Sequence, residues 1–138
     1  YTNGTYFTIL KQTTKQLSMK QREIKFRAFN GEQMISPDYI DRNGVAWWKE
    51  DSIPTFNVQP MQFTGLKDKL KTDCYEGDIL ENPEGKRGIV VFYDGCFRLQ
   101  THKSETSSHY ITMDQGYMGN KKIIGNIYEH PELLTTKK

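Results

Sequence analysis

The chain is short of nearly every feature that would tie it to a membrane, an oxidising compartment or a polyanion. The longest apolar run is IVVFY, residues 89–93, whereas a bilayer span needs roughly 18 consecutive apolar residues. Only Cys74 and Cys96 occur among 138 residues, and they form no C-x-x-C pair. Reduced thiols of a cytosolic protein therefore fit better than a Cys74–Cys96 bridge. The start of the chain has no basic region followed by an apolar run and a small-residue cleavage site, so it does not read as a secretory signal. Neither sign of charge dominates. The formal charge of +2 comes from Lys11 and Lys15, and from residue 19 onward 17 basic side chains balance 17 acidic ones. A nucleic-acid binder usually presents a basic face from which phosphates release counterions. Here Lys67, Lys69 and Lys71 are interrupted by Asp68 and Asp73.

Sustained 3.6-residue apolar periodicity is missing as well, which leaves little room for helix. What is present is a series of short apolar segments with turn signals about every ten residues, as in a small sandwich or barrel. Residues 19–30, MKQREIKFRAFN, alternate Ile24, Phe26 and Ala28 with Lys25, Arg27 and Phe29, the period of a strand. Asn30-Gly31 and Asn43-Gly44 are hairpin-type dipeptides, because Asn and Gly tolerate positive φ. Val58, Met61 and Phe63 continue an extended stretch that Pro60 assigns to an edge or a bulge. Residues 88–93 and 96–100 flank Asp94-Gly95, which predicts a type I′ hairpin. Residues 109–113 and 121–128 read as the last strands, with Gly125 marking a bulge or a close backbone approach. Short helical turns are predicted near residues 36–42 and 131–134, the second from Pro131 and Glu132.

Candidate chemistry is thin. Glu76 and Asp78 stand two apart in YEGDIL, so along a strand they share one side with Cα atoms about 6–7 Å apart, within reach of a glycosidase-like pair. The sequence supplies no third group to position water or substrate. A turn is the better reading, with Gly77 bending the chain and Asp78 bonding local backbone. His102, His109 and His130 with the cysteines match no usual zinc spacing, so no metal and no cofactor are expected. Cys96 after Asp94-Gly95 reads as a small packing residue rather than a nucleophile. Residues 84–88, EGKRG, lack the phosphate-loop pattern and precede a strand. The tandem Trp47-Trp48 is less bland. Neighbouring strand residues point to opposite faces, so a half-buried strand cannot bury both. Either one ring faces solvent, where tryptophan anchors partners or stacks on bases, or both pack, one into each part of a two-part fold or one across a subunit contact. The usual burial of tryptophan favours packing.

Five blocks in order, IKFRAFN, MQFTGLKDK, CYEGDIL, VVFYDGCF and IIGNIYEHPELL, resemble the YopX family of small proteins from phages and prophages of Gram-positive bacteria. The resemblance runs from about Met19 to Leu134. It implies a mainly β protein, α+β overall, in which a small α+β N-terminal region precedes an SH3-like β-barrel, and it carries over no catalytic residues. On this reading residues 1–18 are an extension outside the core, whose T-Y-F-T-I-L alternation suits an edge strand. Residues 19–60 form the N-terminal region, 61–134 the barrel and 135–138 a tail. Thr64, Gly65, Leu66, Tyr75, Glu76, Gly77, Asp78, Gly95, Gly125 and Asn126 are the motif residues with structural roles. The chain departs from the family pattern after Lys69, where Leu70-Lys71-Thr72-Asp73-Cys74 replaces an Asn-Gly turn and an apolar residue. The expected function is a non-catalytic phage or prophage accessory protein in the bacterial cytoplasm. It would bind a host or phage protein and self-assemble as a homo-oligomer, with Trp47 and Trp48 as the contact. The alternative is single-stranded nucleic-acid or nucleotide binding by the barrel through Lys67, Lys69 and Lys71.

Overall fold

Alternation and turn chemistry dominate the architecture. A computed structural model describes residues 19–49, 58–104 and 107–135. The expectations for residues 1–18 and for the tail beyond residue 135 lie outside the described residues. The chain is mainly β. Among the described residues eleven strands run in order: β1 (Phe26–Phe29), β2 (Met34–Ile35), β3 (Tyr39–Ile40), β4 (Ala46–Trp47), β5 (Pro60–Lys67), β6 (Asp73–Tyr75), β7 (Asp78–Glu81), β8 (Arg87–Tyr93), β9 (Cys96–Ser104), β10 (Ser107–Thr112) and β11 (Lys122–Asn126). Helix is confined, among the described residues, to two 3-10 turns, Tyr117–Asn120 and Pro131–Leu134.

The strands form a four-stranded sheet ordered β2-β1-β5-β6, a five-stranded sheet ordered β10-β9-β8-β7-β11, and a two-stranded ribbon of β3 and β4. The five-stranded sheet curls into a half-barrel. Its central hairpin is the predicted one: Asp94 and Gly95 both take positive φ, 51° and 81°, and Tyr93 pairs with Cys96 across the turn. Asn30-Gly31 joins β1 to β2, and Asn43-Gly44 joins β3 to β4.

Three local expectations are corrected. The helical turn near residues 36–42 is instead β3, because Asp41 folds the chain back. Its Oδ1 accepts the amides of Asn43 and Val45, and its Oδ2 accepts Trp47 Nε1. The stretch around Pro60 is not an edge strand, since β5 lies between β1 and β6. Pro60 is tolerated because it opens the strand, before β6 pairs with it. Residues 64–67 complete β5. Gly65, at φ +86°, bulges the strand between Phe63 and Lys67, and the chain reverses only after Asp68. The N-terminal part, expected to be α+β, holds only strands among its described residues.

Two apolar clusters follow from this pairing. The larger gathers Cys74, Leu80, Val90, Leu99, Met113 and Met118, with Leu66, Ile111, Tyr117 and Ile123 packed on it. The smaller gathers Ala28, Ala46 and Val58 under Trp48. Met61 and Phe63 of β5 are buried as well. No described helix is long and apolar enough to cross a membrane.

Candidate functional site

The YEGD segment is a turn, residues 75–78, that ties the two main sheets together. Gly77 takes φ +84°, a region L side chains rarely occupy. A Cβ there would also meet Met61 Sδ at 2.9 Å. The turn's backbone reaches three ways. Glu76 N–H donates to Gln62 O of β5 at 2.9 Å, Gly77 N–H donates to Val90 O of β8 at 2.8 Å, and Gly77 O accepts Ile127 N–H at 3.0 Å.

Asp78 locks this turn from inside. Its side chain is 1% exposed and accepts Arg27 Nη2 at 2.6 Å through Oδ1, while Oδ2 accepts the Tyr75 amide at 2.8 Å. The Arg27 guanidinium lies 4.7 Å above the Tyr75 ring, so one cation binds a carboxylate and an aromatic face together. Burial pushes the Asp78 carboxyl above its ordinary value, while Arg27 and the Tyr75 amide pull against that rise. Arg27 Nε is buried without a hydrogen-bond partner among the described residues.

Glu76 and Asp78 are therefore not a working pair. They flank a turn instead of sharing a strand face, and Asp78 is spent on Arg27 and backbone. Neither carboxylate lines the surface groove formed by Lys25, Phe26, Ser36, Pro37, Asp38, Tyr39 and Ile40, or that formed by Arg22, Glu23, Phe63, Thr64, Gly65 and Lys67.

The remaining motif residues do similar work. Thr64 Oγ1 donates to Cys74 O at 2.8 Å and accepts the Leu66 amide at 3.1 Å. Gly125 stands at the β11 bulge, where a Cβ would meet His130 at 2.7 Å. Asn126 Oδ1 accepts the amides of Tyr128 and Glu129, and its Nδ2 donates to Glu129 Oε1. Asp68, which in the sequence stands only as a break in the lysine run, surpasses them. It is 3% exposed and accepts the amides of Leu70, Thr72 and Ile123. The missed signal was an Asp placed two residues before Leu70 in a turn, the Asx arrangement.

The lysines and tryptophans are less available than their sequence context implies. Lys67 and Lys25 both pair with Asp73. Those hydrogen bonds, Lys25 first and then Lys67, hold the Asp73 carboxyl below its ordinary value. Lys69 and Lys71 are exposed on the adjoining turn, with no carboxylate partner among the described residues. Both tryptophans are half-buried. Trp47 donates to Asp41 and stacks on Tyr39 at 6.4 Å, and Trp48 donates to Ser36 O at 2.9 Å. Trp47 closes the two-residue strand β4, and Trp48, just beyond it, packs on the Ala28, Ala46 and Val58 cluster.

The exposed rings lie elsewhere. At the tip of the β8–β9 hairpin, Phe92 is 55% and Tyr93 48% exposed. Phe92 meets Phe97 edge-on at 5.2 Å, and Tyr93 stacks on Tyr110 of β10 at 4.0 Å with 7° between the planes. Cys96 and Cys74 are free thiols; Cys74 is fully buried, and burial pushes its thiol up to about 12. No cluster of three or more His, Cys, Asp or Glu suited to a metal occurs among the described residues.

Together these features define a small, mainly β protein whose motif carboxylates and amides build turns between two sheets. The family model described as YopX protein matches residues 5–135, and the chain belongs to that family. The match begins within the segment that the sequence reading set apart as an extension. Among solved structures, the chain is similar to protein EF1440 from Enterococcus faecalis, with 26% identity, a TM-score of 0.57, and coverage of 83% of this chain and 100% of that one. It shares the fold of protein yopX from Bacillus subtilis, with 20% identity, a TM-score of 0.51, and coverage of 83% and 98%. No curated protein matches it.

Proposed function

We propose that the chain is a non-catalytic accessory protein of a phage or prophage. It works in the cytoplasm of the bacterial host as a protein-binding and self-assembling module, and its curled sheet serves as an SH3-like scaffold. One observation carries this reading: exposed aromatic rings stand in pre-stacked pairs on rigid strands, Tyr93 on Tyr110 and Tyr39 on Trp47. A ring already fixed by its neighbour loses little rotamer entropy when a partner covers it, which is the property of an interface anchor. The buried carboxylates, meanwhile, are committed to backbone amides and Arg27.

Passing bacterial lysate over the immobilised chain, alongside Y39A and F92A variants of confirmed fold, tests the reading. A protein retained by the parent chain and lost with one of these variants is the expected result. Retention of nothing, or equal retention by all three, would overturn it. A second reading, single-stranded nucleic-acid binding, is favoured by Lys69 and Lys71, exposed on one turn with no carboxylate partner among the described residues. It predicts gel retardation at low salt that K69A/K71A abolishes; no retardation by the parent chain removes it.

A further inference from the structure

Sheet edges are hazards that folds manage by shortness, charge, proline or bulges. In the described structure every edge but one is managed. Strand β2 has two residues and β6 has three, one of them Asp73. Strand β11 carries Lys122 and a bulge between Ile123 and Gly125. Strand β10, SSHYIT, is six residues long, contains no Lys, Arg, Asp, Glu or Pro, and has β9 as its only strand neighbour among the described residues. Its one irregularity lies at its start, between Ser107 and Ser108. Ser108, His109 and Thr112 are exposed, and Tyr, Ile and Thr all favour extended backbone.

We propose that β10 is a self-pairing edge: residues 108–112 add antiparallel to the same strand of a second copy and extend the five-stranded sheet across a two-fold axis. The proposal deepens the binding reading by naming the partner. A second copy fits because the edge is uncharged, so a two-fold pairing places no like charges opposite each other at neutral pH. The symmetry also fixes the register. An axis perpendicular to the sheet keeps each face on its own side, so residues of the same parity must pair. Centring on Tyr110 sets Tyr110 against its copy, Ser108 against Thr112 and His109 against Ile111. The two tyrosines are then a cross-strand aromatic pair, each backed by Tyr93. Centring on His109 would forgo that aromatic pair, so the Tyr110 register is the one proposed.

Sedimentation of the full chain tests this. The expected mass is at least twice the 16.1 kDa of the monomer. Variant S108K/T112K places lysine opposite lysine at both ends of the pairing and should reduce the mass at least twofold while circular dichroism stays native. Variant S108K/T112E makes those contacts opposite in sign and should keep the parent mass. Hydrogen exchange in the unmodified chain gives a readout independent of any variant: β10 amides should slow as concentration rises. A parent chain that stays monomeric at high micromolar concentration, an assembly that folded S108K/T112K leaves intact, or β10 exchange insensitive to concentration would overturn the proposal. Monomeric S108K/T112E would overturn the register. A monomer that still retains a bacterial protein through Tyr39 or Phe92 would overturn self-pairing while leaving the binding reading standing.

Discussion

Replacing Gly77 with valine should damage the fold far more than replacing Glu76 with glutamine, and the difference can be divided into parts. A non-glycine residue at the φ of +84° costs about 1–2 kcal/mol from Cβ crowding the following carbonyl. The new Cβ also meets Met61 Sδ at 2.9 Å; because Met61 is nearly buried, its retreat is limited and overpacking adds about 1–3 kcal/mol. The sum for G77V is about 2–5 kcal/mol, which at about 3–5 °C per kcal/mol for a chain of this size lowers Tm by roughly 6–25 °C. Gly95 isolates the first contribution, because its φ is +81° and nothing lies within 4 Å of its ideal Cβ. G95A therefore reports backbone strain alone, and G77A minus G95A reports the Met61 contact. Glu76 contributes its backbone N–H to Gln62, which E76Q keeps, so that change should stay within about 0.5 kcal/mol. Thermal melts followed by circular dichroism decide the matter. If G77V melts within 2 °C of the parent chain, roughly a measurement error on the scale of these effects, the account of the turn is wrong.

Removing the Asp78 charge while keeping its shape, in D78N, leaves Arg27 as an uncompensated cation whose side chain is only 17% exposed. Urea unfolding should show a loss of about 3–5 kcal/mol, part of it recovered in R27M/D78N because no orphan charge remains. Acid should act through Asp73, whose folded-state value is depressed by Lys25 and Lys67. A depressed carboxylate contributes stability that is complete above its ordinary value and is lost as pH falls through the folded one. The urea midpoint of the parent chain should therefore fall more steeply below pH 4, roughly the ordinary aspartate value, than that of D73N; parallel slopes would exclude the linkage. Thiol titration of the native chain should label Cys96 promptly and Cys74 only after unfolding, since Cys74 is fully buried with its thiol at about 12. Prompt labelling of both would contradict the core placement.

Much of the fold was legible because it is local. Asp94-Gly95, Asn30-Gly31 and Asn43-Gly44 specify their own turns through positive φ, and the bulge and close approach at Gly125 are written in the absence of a side chain. What was not legible depends on distant partners. Residues 36–42 carry a weak helical signal that the hydrogen bonds of Asp41 to Val45 and Trp47 override. The interior position of β5 follows from pairing with β1, more than thirty residues away. Arg27 gave no sign that it answers Asp78 across 51 positions. The stacked Tyr93 and Tyr110 were equally hidden, since only the ladder through β9 brings them together.

The polar side chains that first invite a chemical interpretation are the ones least able to perform chemistry. Asp68 accepts three amides, Asp41 two amides and an indole, Asn126 two amides, and Asp78 an amide and a guanidinium. A carboxylate accepting hydrogen bonds on both oxygens, with its charge matched to fixed dipoles, has little left to offer a substrate or a metal ion. In a chain with little helix, such side chains satisfy backbone groups that the strand ladders leave open between them. Specificity must then come from what the turns do not consume: flat aromatic surface and unpaired strand edge. Both meet at β10, where Tyr110 backs onto Tyr93 and the edge of residues 108–112 opposite β9 has no strand neighbour among the described residues. That coincidence makes β10 the segment where one substitution pair can separate a binding scaffold from an inert fold.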